Sequence, residues 1–220
     1  MSNRYLVYTA IFGNYDRLRE IPFAFLEPTI FDYVCFSDKA INSPSFDVQI
    51  VPVTKPFHLM NRYYKIMIDD LTGQKYKGSI YLDGNVTVQG ALSRLLNPDF
   101  ELILHDHKRK CVYQEAETII KKKKDSKENV ERWVRHLKEN SYKKDQGLYW
   151  NGILIRTHNE KLNRMSHEWW KLLLEYSYRD QLTLPYLATK YSINTLCLKR
   201  KLTKRGVFNN KYFYYDGKHD

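Results

Sequence analysis

The chain reads as an α/β domain with a mostly parallel central sheet flanked by helices. Three observations predict it. Short β-branched and aromatic runs alternate along the sequence with stretches of helical periodicity. No linker, internal repeat or low-complexity segment interrupts residues 1–220, so a single domain is expected, with a basic C-terminal extension from about residue 198. Hydrophobic residues make up 43% and charged residues 28%, and 220 residues suffice for a sizeable core. Strands separated by helices favour parallel pairing, and ligands of such sheets bind beyond the carboxyl ends of the strands.

Element by element, residues 5–10 form a β-rich run that ends in the turn-like Ile11-Phe12-Gly13-Asn14-Tyr15-Asp16. Residues 33–36 are a second strand, closed by Ser37-Asp38, and residues 48–53 a third. Met60, Tyr63, Tyr64, Met67 and Ile68 recur at helical spacing, predicting a helix over 60–72. Residues 80–82 read as a buried strand, with alternation resuming at Val86 and Val88. A short helix over 90–96 and a strand over 101–104 follow. Val130, Trp133, Val134 and Leu137 give the middle helical region one apolar face. Residues 147–156 are a loop and a buried strand, and 160–176 a helix in which Trp169-Trp170 is expected to pack against the sheet. Gly13, Asp38, Asp83, His105 and Asn151 all fall near strand ends.

The most informative stretch is Ser79 to Val88, an apolar β segment interrupted by Asp83-Gly84-Asn85. A carboxylate at the end of a buried strand is costly unless something pairs with it. Gly84 permits a close backbone approach. The arrangement suits a divalent cation, a diphosphate or a ribose; the plainer alternative is a bulge or hairpin with a solvated Asp. Arg62 and Lys65 lie three residues apart on one helix face and suit a diphosphate, or else form a surface pair. His105 and His107 alternate at a strand end and are expected to share a face, as ligands, as acceptor hydrogen-bonders or with no chemical role. They make a poor zinc signature alone. Glu115 suits a helix N-terminal charge and Asp180 a helix N-cap.

Composition limits the partners. The net charge is +11, with clusters at Lys121–Lys124 and at Lys199 to Arg205 that read as a solvated helix face and a terminal arm. No helix-turn-helix, zinc-finger or RNA-recognition signature accompanies this charge, so no specific nucleic acid is expected. Such a surface attracts sugar nucleotides, anionic glycans or anionic membrane lipids. Cys35, Cys111 and Cys197 form neither a metal spacing nor a disulfide framework, and no signal peptide or bilayer-length apolar run is apparent. A cytoplasmic location is expected, with peripheral association at the inner membrane surface.

Eight segments in order carry a resemblance. They are residues 9–16, Cys35-Phe36-Ser37-Asp38, Asn61-Arg62-Tyr63-Tyr64-Lys65, Tyr81-Leu82-Asp83-Gly84-Asn85, residues 105–109, Tyr113-Gln114-Glu115-Ala116, Trp169-Trp170 and Arg179-Asp180-Gln181. Together they resemble the glycosyltransferase-like domain family of plant mucilage-related and bacterial polysaccharide proteins. The resemblance implies the GT-A, nucleotide-diphospho-sugar transferase fold, which is Rossmann-like. It implies donor contacts from Thr9, Phe12, Gly13, Tyr15, Asp38, Arg62, Lys65, Asp83, Gly84, Asn85 and Gln181, and acceptor contacts from His105, His107 and Arg179. Asp180 and Glu115 become the catalytic candidates, Asp180 taking the acceptor proton or holding the donor sugar. The family's usual Asp-x-Asp is Asp83-Gly84-Asn85 here. Asn85 is a neutral oxygen ligand, so Mn²⁺ or Mg²⁺ on Asp83 and Asn85 is expected to be weak or optional.

The expected function is transfer of a sugar from a nucleotide diphosphate to a glycan or lipid-linked acceptor in polysaccharide biosynthesis. Two alternatives stay open: a non-catalytic glycan- or nucleotide-binding domain on a degenerate transferase fold, and a nucleic-acid-binding protein.

Overall fold

The structure is a computed structural model that describes residues 3–200, 202 and 207–215. Lys201, Lys204 and Arg205 of the basic tail lie outside the described residues.

Seven strands form the main sheet: β1 (Tyr5–Ile11), β2 (Phe31–Ser37), β3 (Asp47–Ile50), β4 (Gly78–Leu82), β6 (Leu102–Asp106), β7 (Tyr149–Thr157) and β8 (Thr195–Leu198). Their order is β3-β2-β1-β4-β7-β6-β8. β1 pairs in parallel with β2 and β4, β2 with β3, and β6 with β8. β7 runs antiparallel to both of its neighbours. The expected mostly parallel α/β architecture is what the structure has.

β1 shows why its run is almost continuously apolar. Leu6, Tyr8 and Ala10 join one buried cluster with the helices, while Val7 and Ile11 join the cluster on the opposite face. A strand covered on both sides has no solvent face to alternate with. β3 stops at Ile50 although the apolar run continues to Val53, since Pro52 has no amide hydrogen for the ladder.

The helices are α1 (Phe57–Ile66), α2 (Ile68–Leu71), α3 (Val112–Lys121), α4 (Lys127–Glu139), α5 (Glu160–Glu175) and α6 (Asp180–Lys190). The helix expected over 60–72 starts earlier, behind Pro56, and breaks at Met67. The break frees the Lys65 carbonyl. It accepts from the Tyr8 hydroxyl at 2.9 Å and from Arg156 Nη2 at 2.7 Å, while Arg156 Nη1 donates to Tyr8 at 2.8 Å. The helix expected over 90–96 is a 3-10 turn, Leu92–Leu95. Trp169 is fully buried in the core cluster that the helices share with the sheet, and the Trp170 ring lies against Tyr63 of α1.

Two basic segments differ from expectation. Lys121 ends α3, and Lys122 to Lys124 form the turn before α4 rather than a helix face. The tail is not a solvated arm where described. β9 (Phe208–Asn209) and β10 (Phe213–Tyr215) join β5 (Thr87–Val88) in a three-stranded antiparallel sheet, and Phe208 and Phe213 are buried.

Candidate active site

A cavity of about 1260 Å³ opens at the carboxyl ends of β1, β4 and β6. The loop after β1, the tip of β4, the segment after β6, α1 and the start of α6 all converge there. Phe12, Tyr15, Arg62, Lys65, Asp83, Asn85, His107, Glu115, Arg179, Asp180 and Gln181 all line it. Residues as distant in sequence as Phe12 and Gln181 thus share one space.

The remaining expected site residues stand behind the wall. Thr9 is buried in the sheet, where its hydroxyl has no hydrogen-bond partner among the described residues. Asp38 Oδ1 accepts from the Gly13 amide at 2.9 Å and so fixes the β1 loop. Gly13 has φ +66°, and a Cβ there would meet the Phe57 ring at 2.9 Å, so this turn requires glycine. Gly84 lets the Asp16 side chain lie against the β4 tip: an added Cβ would sit 2.8 Å from Asp16 Cβ.

His105 and His107 do not share a face. His105 is 1% exposed among the rings of Trp150, Phe208 and Phe213. Burial first, then Arg200, lowers its pKa to about 4. His107 lies beyond the end of β6, where the strand alternation no longer applies. Its pKa is lowered to about 3 by burial and by Arg109, Arg200 and Lys108. Its Nδ1 accepts from the Arg109 amide at 3.2 Å, which leaves Nε2 as the donor of a neutral ring.

The centre of the site is a buried charge cluster. Lys65 Nζ stands 2.8 Å from Asp180 Oδ2 and 3.6 Å from Asp83 Oδ1, and Arg62 Nε stands 3.6 Å from Asp180 Oδ1. Lys65 is 2% and Asp180 3% exposed. Burial by itself raises the Asp180 pKa, but Lys65 and Arg62 outweigh it and hold this carboxyl well below the usual range. A carboxylate so stabilised is a poor proton acceptor and a good hydrogen-bond acceptor. Asp180 is not an N-cap either: it is the first residue of α6, Arg179 occupies the cap position, and no side chain caps the helix. Asp83 also accepts from the Tyr81 hydroxyl at 2.9 Å, and Asn61 Nδ2 donates to that hydroxyl at 3.3 Å.

Glu115 is 2% exposed and bound by the Arg109 guanidinium, so its charge is already matched. Asp83 and Asn85 present oxygen to a cation, but Asp83 Oδ1 already serves Tyr81 and Lys65. No group of three His, Cys, Asp or Glu suited to a metal occurs among the described residues. Mg²⁺ keeps water and substrate oxygens when a protein offers only one or two carboxylates. The pair therefore fits a cation that arrives with a diphosphate.

Sequence reasoning placed Asn151 near a strand end but gave it no role. It is 2% exposed and lines the cavity, and neither amide atom is hydrogen-bonded among the described residues. The sequence places Arg109 only in the 105–109 segment, Trp150 only in the strand over 147–156 and Arg200 only in the basic tail. The Arg200 guanidinium lies 4.5 Å over the Trp150 ring, a contact between β7 and the chain after β8 that no local pattern encodes. Among the described residues, nine Lys and Arg side chains line the cavity against four carboxylates, a balance that favours an anionic ligand.

The fold matches 104 chains of solved structures. One is the apo structure of the WbbM bifunctional glycosyltransferase, with a TM-score of 0.56 at 13% identity. That match covers 90% of this chain and 39% of the other, so the chain spans well under half the length of that protein. No family model and no curated protein matches the sequence. The likeness is one of fold: a seven-stranded, mostly parallel α/β sheet flanked by helices, of the kind seen in a glycosyltransferase.

Proposed function

We propose that the protein is a glycosyltransferase that takes a sugar from a nucleoside-diphosphate donor. The observation that carries this reading is the cation-rich cavity at the strand ends, with Asp83 at the tip of β4 and the Lys65–Asp180 pair beside it. The β1 loop, through Phe12 and Tyr15, offers aromatic surface to a nucleoside. Asp83 and Asn85 stand at the diphosphate, and would also hold a Mn²⁺ or Mg²⁺ that neutralises it.

The chain's own groups divide the remaining work. Arg62 and Lys65 provide fixed positive charge where the leaving diphosphate gains negative charge, which needs no reorganisation during reaction. Asp180 keeps that lysine in place and, fully ionised, accepts hydrogen bonds from the donor sugar. Gln181, next to it, offers an amide to the same sugar. His107, neutral with its donor at Nε2, suits an acceptor oxygen. Tyr8 and Arg156 act from behind by fixing the Lys65 carbonyl. A glycan or lipid-linked acceptor enters from the side of His107 and Arg179.

A thermal-shift screen of nucleoside diphosphates and nucleotide sugars, with and without Mn²⁺, tests the reading. A ligand at 100 times its dissociation constant stabilises the fold by about 2.7 kcal/mol. We expect a shift with the correct nucleotide and its loss in Asp83→Ala. No shift with any nucleotide, or an equal shift in folded Asp83→Ala, removes the donor site from this place. Binding without sugar transfer to any acceptor would favour a non-catalytic nucleotide-binding domain.

A further inference from the structure

The cavity exceeds the roughly 300–1,000 Å³ typical of a small-molecule site, and its walls differ in charge. On one wall Arg62 and Lys65 are matched by Asp180 and Asp83 at 2.8 to 3.6 Å. On the other, Lys122, Lys124, Arg109 and Arg179 come together from three segments. Among the described lining residues, the carboxylates beside this group are Glu115, which Arg109 already engages, and Asp180, which follows Arg179 and is already paired with Lys65. Burial, Arg179 and Lys122 push the Lys124 pKa down, and Glu115 offsets only part of that effect. The Arg179 Nε is buried and has no hydrogen-bond partner among the described residues.

The segments that carry these cations are tied together. The Tyr178 hydroxyl donates to the Lys124 carbonyl, and Ser177 Oγ donates to Asp125 Oδ2 at 2.6 Å. These bonds fasten the α3–α4 turn to the segment that leads into α6. Asn151 lines the cavity, buried, and neither of its amide atoms has a hydrogen-bond partner among the described residues.

We propose that Lys122, Lys124 and Arg179 form a subsite for a phosphate group carried by the sugar acceptor. A single carboxylate is satisfied by one arginine fork, whereas several converging cations suit the higher charge and three oxygens of a phosphate monoester. These cations line a cavity, so they select a group that enters it. The word acceptor rests on the transferase reading; the anion site does not.

The test is calorimetric titration of the full chain with a hexose 6-phosphate, the unphosphorylated hexose, inorganic phosphate and a nucleoside diphosphate. We expect the hexose phosphate to bind at least tenfold more tightly than either the hexose or inorganic phosphate. Lys122→Ala/Lys124→Ala, which changes only exposed side chains, should weaken it at least fivefold and change nucleoside-diphosphate affinity less than twofold. Arg179→Gln should weaken the hexose phosphate similarly. Equal weak binding of all probes, or no loss in these variants, overturns the proposal. Inorganic phosphate binding as tightly as the sugar phosphate also overturns it, since the site would then hold a free anion. A parallel loss of nucleoside-diphosphate affinity overturns it by assigning the basic wall to the donor. Hexose-phosphate binding without any nucleotide binding would leave the anion subsite standing and remove the transferase reading.

Discussion

Asp180→Asn tests whether the buried ion cluster holds the site together. The substitution keeps the shape and one hydrogen bond but removes the charge 2.8 Å from Lys65 Nζ. Lys65, 2% exposed, is left with Asp83 at 3.6 Å as its carboxylate partner among the described residues. Breaking a buried pair by removing one member costs about 3–5 kcal/mol, because the other charge is stranded out of water. The retained Asp83 contact argues for the lower end, about 3 kcal/mol. For a domain of this size that lowers Tm by roughly 6–12 °C. The sign of the pH dependence follows from the lowered pKa. Asp180 is more acidic folded than unfolded, so its stabilisation is complete above the unfolded value of about 3.9 and is lost as pH falls through the lower folded value. The Tm gap between wild type and Asp180→Asn should therefore be constant from pH 5 to 9 and close only in acid. Thermal unfolding followed by circular dichroism reads both. In the double variant Lys65→Met/Asp180→Asn the loss should be smaller than the sum of the single losses, since each single change strands the other's charge. A gap below about 2 °C, or strict additivity, would refute the reasoning.

Three further outcomes follow from the same geometry. His105→Phe should make the protein less acid-sensitive: the His105 pKa of about 4 lies below the unfolded value of about 6.5, so wild-type stability falls as pH drops from 6.5 to 4. Unchanged acid unfolding curves for His105→Phe would contradict this. Gly13→Ala should cost about 1–2 kcal/mol, because φ +66° is unfavourable for a residue with a Cβ and Phe57 must move; denaturant titration measures it, and a midpoint equal to that of wild type would count against the strained turn. Asn85→Asp should tighten Mn²⁺ in the presence of a nucleoside diphosphate by adding a second carboxylate beside Asp83, as read by calorimetry. Unaltered Mn²⁺ affinity would place the cation elsewhere.

Local patterns made much of this molecule legible. Apolar runs marked β1, β4 and β7, since a strand buried on two faces must be apolar on both. Helical spacing marked α4 and α5, each of which buries one apolar stripe in the core. The Asp83-Gly84-Asn85 interruption marked the tip of β4, because a carboxylate there needs a partner. Tertiary structure decided what that partner is. Lys65 and Asp180 are separated by more than a hundred residues and meet only because α1 and α6 pack on the same face of the sheet. It also inserted β7 antiparallel between β4 and β6, carried His105 into an aromatic core, and folded the tail onto β5. Strand order and long-range ion pairs depend on which buried surfaces fit one another, and residue periodicity records only that a surface is buried.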